Sequence, residues 1–250
     1  MIPVGDNLGR RGFLPVTALV LLVWVSAFVW TWRLPSGARP AFEARFALSA
    51  PMAETAAMSL QQDGSPLGVA TAGSVLTTIP GHALLHCSLL QLLTCALFFQ
   101  VFGGRLEARA GRLRFLSFLL AAAVASGATV VWLSPHHPYA GTGATGVVTA
   151  CLLAVLVMTP RLHLRCLVPA VFWPVFFELP LWSVLPVWVL LQVRPLQELV
   201  RLGDAHAVPW TAHIGGAAIG LLAGPLLLRP RRRALAAIRS ARRKNLASAR

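Results

Sequence analysis

Six stretches of this chain run for about a helix length or more with almost no charge: Leu14–Trp32, Ala83–Phe102, Phe115–Leu133, Thr145–Met158, Leu167–Val193 and Ala212–Leu228. About 20 apolar residues span a bilayer as a helix, and within lipid only helices and closed barrels satisfy their own backbone. The pattern therefore predicts an all-α polytopic membrane protein, a bundle of six transmembrane helices. Charged residues make up 12% of the chain, against about 25% in a soluble domain. The fourth stretch is short. The fifth is long and carries Pro169, Pro174, Pro180 and Pro186, so it reads as a kinked helix or as a short helix after an irregular stretch.

The net charge is +14, and its placement is more informative than its size. Arg10 and Arg11 precede the first stretch. Arg105, Arg109, Arg112 and Arg114 separate the second and third, and Arg161 and Arg165 separate the fourth and fifth. Arg229, Arg231, Arg232, Arg233, Arg239, Arg242, Arg243, Lys244 and Arg250 fill the tail. All of these fall on one side of a six-span topology, and only Arg33, Arg39, Arg45, Arg194 and Arg201 fall on the other. That bias puts both termini in the cytoplasm. It also accounts for the charge without nucleic acid, for which the sequence has no motif. The basic tail suits anionic lipid headgroups.

The domain organisation follows: a cytoplasmic lead over 1–12, a membrane domain over 13–228 and a basic cytoplasmic tail over 229–250. The first stretch is longer than a signal-peptide core and reads as a retained anchor. Residues 33–81 form the longest loop, on the non-cytoplasmic face, with Glu43, Glu54 and Asp63 and a possible short helix at Ala53–Leu60. Cys87, Cys95, Cys151 and Cys166 show neither metal-ligand spacing nor a disulfide framework, and read as small packing residues.

Polar groups within the apolar stretches carry the functional signal, because they are expensive there. G-A-T-G at Gly143 to Gly146 brings a hydroxyl, Thr145, to the start of the fourth stretch. A threonine there commonly serves only as a cap. A helix N-terminus, however, also offers free N–H groups to a developing oxyanion. A-H-I-G-G at Ala212 to Gly216 brings in an imidazole, His213. His213, Gly216 and Gly220 share one helix face, and the G-x-x-x-G step lets a neighbouring backbone come close. A hydroxyl and an imidazole that can meet suggest nucleophilic catalysis. His82 and His86 share a face at the start of the second stretch, with no third residue at metal-ligand spacing, so no metal or other cofactor is expected. Glu107 and Arg109 are placed to pair or to bond loop backbone. Glu178, between two prolines, reads either as a surface residue or as one facing a cavity.

G-H-A-L-L-H-C-S-L-L-Q-L-L-T-C, F-G-G-R-L-E-A-R-A-G, G-A-T-G and A-H-I-G-G-A-A-I-G, in that order and spacing, resemble the rhomboid intramembrane proteases over roughly residues 80–228. The resemblance implies a rhomboid-like six-helix bundle, in a bacterial inner membrane, that cleaves transmembrane segments of membrane-protein substrates. The family's serine, in G-x-S-G, matches Thr145, and its histidine matches His213. A histidine and an asparagine that assist the oxyanion match Gln91 and Cys95. Gly143 and Gly146 support the same site, and His82 and His86 would line a cavity or water path.

The departures matter physically. Threonine keeps the hydroxyl but adds a methyl that restricts χ1. Gln91 still has an amide donor, whereas Cys95 is a poor one. Two functions follow. One is an intramembrane endopeptidase with a Thr/His variant of the Ser-His dyad. The alternative is an inactive pseudoprotease that binds client transmembrane helices.

Overall fold

The structure, a computed structural model, describes residues 2–6, 12–39, 42, 78–133, 143–169, 174–190 and 210–227. The expected helix at 53–60, most of the loop 33–81 and the basic tail lie outside these residues.

Helix α1, Pro15–Arg33, opens with proline in its first turn, where the missing N–H costs nothing. The first N–H groups of the helix find their acceptor elsewhere in the chain. Glu107 takes Val16 N–H at 3.0 Å, Thr17 N–H at 2.7 Å and the Thr17 hydroxyl at 2.7 Å. A carboxylate at a helix N-terminus satisfies orphan donors and complements the helix dipole. Of the roles open to Glu107 in the sequence, bonding to backbone is the one the fold uses.

Helix α2, Leu89–Ala110, starts at Ser88, whose hydroxyl accepts the Gln91 N–H at 3.2 Å. It begins later and ends later than the apolar stretch suggested, so Gly103, Gly104 and Glu107 lie inside it. Gly111, at φ 84°, ends α2 in a conformation that favours glycine. Helix α3, Arg112–Leu133, follows at once. Helix α4, Thr145–Met158, has the bounds read from sequence, and every residue from Thr145 to Val155 is buried. It is the central helix. Trp24, Phe98, Phe99, Phe102, Phe115 and Phe118 from α1, α2 and α3 share one core with Val148, Cys151 and Leu152 of α4.

Of the two readings of the fifth stretch the structure is nearer the second, a short helix over Leu181–Leu190, but what precedes it is regular. The first half of the stretch is not a membrane helix but part of a small antiparallel sheet. Strand β2, His163–Pro169, pairs with β3, Pro174–Pro180, in register from His163 opposite Pro180 to Pro169 opposite Pro174. Strand β1, Ile2–Asp6, pairs with the other edge of β2, from Ile2 opposite Leu167 to Asp6 opposite Leu164, with an irregularity between Pro3 and Gly5. The polar lead therefore contains a strand. The physical reason is twofold. Prolines at 169, 174 and 180 would each remove a helix hydrogen bond, and here they sit at strand ends. The approach is also period-two: Leu162, Leu164 and Cys166 are buried while Arg161, His163 and Arg165 are exposed. Glu178 lies on β3, exposed, 3.6 Å from Arg165, a surface pair rather than a group in a cavity. The sheet closes the end of the bundle where α1 starts and α2 and α4 stop. Leu162, Leu164, Cys166 and Leu181 join the same core as Leu106 and Ala110.

A short apolar helix, α5, Leu181–Leu190, follows the sheet. Helix α6 opens as Trp210–Ala218, widens into a π turn at Ile219–Ala223 and ends with Gly224–Leu227. By length and composition α1, α2 and α3 can each cross a membrane, and α4, α5 and α6 are shorter apolar helices. Leu22, Trp30, Leu90, Leu113, Leu120, Leu190 and Leu222 are exposed on the outside of the bundle. A belt of this kind is a liability in water and a match for lipid.

Candidate functional site

The site lies at the end of the bundle away from the sheet, where α4 begins. Gly143 has φ 144°, in the range that favours glycine. Its N–H donates to the His82 carbonyl at 2.9 Å, which ties Gly143, just before α4, to the helical turn His82–Leu84 before α2. A side chain here would be strained by that φ, and its Cβ would crowd the Gln91 amide nitrogen, which would have to shift. The other end of that amide is held. Gln91 Oε1 accepts the Cys87 N–H at 2.9 Å and the Cys87 thiol at 3.2 Å. Gln91 thus presents its NH2 group to the backbone two residues before Thr145. Cys95, one turn further along α2, is buried, with its sulfur on the Ala144 backbone.

Thr145 is buried, and its hydroxyl has no hydrogen-bond partner among the described residues. The two residues expected to meet are therefore not hydrogen-bonded. His213 instead meets the next hydroxyl down the same face of α4. Its Nδ1 lies 2.7 Å from Thr149 Oγ1. Thr149 Oγ1 also donates to the Thr145 carbonyl at 2.8 Å and accepts from Trp188 Nε1 of α5 at 3.2 Å. The Trp188 ring stands edge-on to the imidazole, with centroids 6.2 Å apart at 72°. Thr149 and Trp188 were missed in the sequence. The available signal for Thr149 was its place four residues after Thr145, a second hydroxyl on one face of an apolar helix.

Close helix packing sets this geometry. Gly216 lies against the Gly146 carbonyl, and a Cβ at Gly220 would come within 2.6 Å of the Ala150 carbonyl. Gly224 continues the step, 2.8 Å from Ala154 Cβ on the same reckoning. Small residues every four positions on α6 thus meet small residues every four positions on α4. Ser126 of α3 reaches the same crossing, with its hydroxyl against Gly146 and without a partner among the described residues.

His82 and His86 sit beside this region. His82 Nδ1–H donates to the Ile79 carbonyl at 2.6 Å. Burial pushes its imidazole down from 6.5 to about 4, partly opposed by that bond. His86 packs edge-on against Trp24 of α1 at 5.1 Å. Its two ring nitrogens and His82 Nε2 are buried without partners among the described residues. The described residues contain no group of three or more His, Cys, Asp or Glu side chains able to hold a metal ion.

The family model described as Rhomboid domain matches residues 73–230. The chain belongs to the rhomboid family. The rhomboid match takes in α2 to α6 and both halves of the candidate site, and it leaves α1 and β1 outside. Membership makes the chain an integral membrane protein of the intramembrane-protease or pseudoprotease kind. No curated protein matches it.

Proposed function

We propose that this rhomboid is an intramembrane endopeptidase that cleaves transmembrane segments, with Thr145 as nucleophile and His213 as general base and then general acid. One observation carries the reading. The Thr145 hydroxyl is buried without a hydrogen-bond partner among the described residues, at the N-terminus of the central helix. An unpaired buried hydroxyl costs about 1–3 kcal/mol, and a reactive role is a physical reason to keep one. The Gln91 amide and the backbone N–H of Thr145 supply donors to an oxyanion.

Depth supports the same reading. Fourteen residues of α4 extend only about 21 Å at 1.5 Å each, against a hydrocarbon core of about 30 Å. A helix that starts below the surface suits hydrolysis of a chain lying in lipid, with water entering past His82 and His86. In this reading the chain crosses a bacterial inner membrane six times, with the sheet and both termini in the cytoplasm. The membrane domain covers 13–228, and the tail over 229–250 holds anionic lipid.

A second reading, a client-binding pseudoprotease, is favoured by one specific observation: Thr145 makes no hydrogen bond to His213. The deciding experiment is cleavage of a fluorogenic transmembrane substrate by protein purified in detergent. Cleavage by the parent that is lost in both Thr145→Ala and His213→Ala supports the protease. An inert parent, with activity gained by the triple change Thr145→Ser, Gln91→His and Cys95→Asn, supports the pseudoprotease.

A further inference from the structure

We propose that Thr149 is the positioning residue of His213, in place of a carboxylate, and that it holds the imidazole in the tautomer with its proton on Nδ1. The inference deepens the protease reading and rests on it for its catalytic meaning. The hydrogen-bond geometry stands independently.

A threonine hydroxyl has one hydrogen to give and two lone pairs to receive with. Among the described residues Thr149 has three polar neighbours, which use all of these. The Thr145 carbonyl at 2.8 Å can only accept, so the single hydroxyl hydrogen goes there. The Trp188 indole at 3.2 Å can only donate, so it fills one lone pair. His213 Nδ1, at 2.7 Å, must then donate to the other. A neutral imidazole with its proton on Nδ1 has none on Nε2. Nε2 is then the basic nitrogen.

The surroundings keep this arrangement in place. Trp188 is buried and also packs on Phe98 of α2 at 4.7 Å. It therefore cannot easily withdraw from Thr149. The orienting group is a neutral hydroxyl fixed by a tryptophan and by a carbonyl of its own helix.

The chemistry follows from the tautomer. Thr145 Oγ attacks the scissile carbonyl carbon, a C–O bond forms, and the hydroxyl proton moves to His213 Nε2. Nδ1–H stays on Thr149 throughout. The C–N bond then breaks as the Nε2 proton passes to the departing amine. Water repeats the cycle on the ester, giving its proton to Nε2 and releasing the acid, and Thr145 recovers its hydrogen.

The test reads the tautomer directly. The full chain is labelled with 15N-histidine in detergent micelles, and the His213 ring signals are assigned by their loss in His213→Gln. The parent is expected to show a protonated Nδ1 and a bare Nε2. Thr149→Val, a near-isosteric change, is expected to redistribute the proton between the two nitrogens, and Thr149→Ser to restore it. In the cleavage assay Thr149→Val is expected to lower kcat at least about 10-fold, part of the 10²–10⁴ that a positioned acid–base group supplies, with KM little changed and with rescue by Thr149→Ser. A parent with its proton on Nε2, or a Thr149→Val protein with an unchanged ring, overturns the assignment. The parent spectrum needs no variant to fold. It also needs no activity, so an inert parent with the Nδ1–H tautomer would fail the protease reading and leave the positioning of His213 established.

Discussion

Gly216 rests on the carbonyl of Gly146 with no room for a methyl group between them. This contact brings α6 close enough to α4 for His213, one turn earlier, to reach a hydroxyl on α4. Gly216→Ala forces the two backbones apart, and overpacking of this sort costs about 1–3 kcal/mol. Gly224→Ala crowds the Ala154 methyl at 2.8 Å and meets backbone no closer than the Ala154 Cα at 3.5 Å, at the far end of the crossing. Thermal unfolding in detergent should therefore show a larger fall in Tm for Gly216→Ala than for Gly224→Ala. Equal Tm values would mean that the close approach is not what holds the crossing together.

The cap on α1 gives a second expectation. Glu107 supplies both carboxylate oxygens to two N–H groups and a hydroxyl across 90 and 91 residues of sequence. Glu107→Gln keeps one acceptor oxygen and loses the charge. Glu107→Ala loses every bond and leaves buried donors behind, at about 1–3 kcal/mol for each group stranded. Tm should fall in the order parent, Glu107→Gln, Glu107→Ala. Proteolysis at the N-terminal end of α1 should increase in the same order, and an unchanged cleavage pattern in Glu107→Ala would remove Glu107 from the account of how α1 is anchored.

Burial of His82 makes stability depend on pH, with a definite sign. Its imidazole titrates at about 4 when folded and near 6.5 when exposed. Above 6.5 it is neutral in both states and its contribution to stability is whole. As pH falls below 6.5 the unfolded chain binds a proton that the folded chain refuses, so stability drops until about 4. The parent should lose Tm between pH 7.5 and pH 5, and His82→Asn should lose less. A variant with the same pH slope as the parent would show that His82 does not contribute to it.

The parts of this architecture that were legible in the sequence share a cause. The bounds of α4 were readable because an uninterrupted apolar run begins at G-A-T-G and stops at Thr159-Pro160. The small-residue face of α6 was readable because close helix packing needs glycine at fixed spacing. The fifth stretch misled because apolar content does not distinguish a buried helix from a buried strand. The alternation from Arg161 to Cys166, and prolines spaced at strand length, were the better guides. Strand β1 was hidden because its partner lies about 160 residues away, and register of that kind leaves no local trace. Thr149 was hidden for another reason. Its role comes from Trp188 and His213, which reach it from two other helices.

Gln91 tests the oxyanion side of the site. Its Oε1 is tied to Cys87, so its NH2 group is fixed toward Gly143 and the start of α4. Gln91→Ala should lower kcat by about 10²–10³, the usual cost of one lost oxyanion donor. Cys87→Ser should lower it less, since the backbone N–H at 87 still holds the amide. If Gln91→Ala cleaves as fast as the parent, Thr145 N–H and other backbone donors carry the charge alone.

Thr145 itself is the sharpest case, because its hydroxyl and its methyl make opposite contributions. The hydroxyl is the proposed nucleophile. The methyl restricts χ1 on a helix whose first turn is wholly buried, and it can hold the oxygen away from His213. Two near-isosteric changes separate these effects. Thr145→Val keeps the branch and removes the oxygen, so cleavage should vanish while Tm stays near that of the parent or rises, an unpartnered buried hydroxyl being replaced by a methyl. Thr145→Ser keeps the oxygen and removes the branch, which lets it turn toward the imidazole, so kcat should rise above the parent. A threonine selected for its own reactivity would behave differently, with serine no faster or slower. A Thr145→Val protein that still cleaved would remove Thr145 from the chemistry altogether, and leave Ser126, a second buried hydroxyl without a partner among the described residues at the α4–α6 crossing, as the next residue to change.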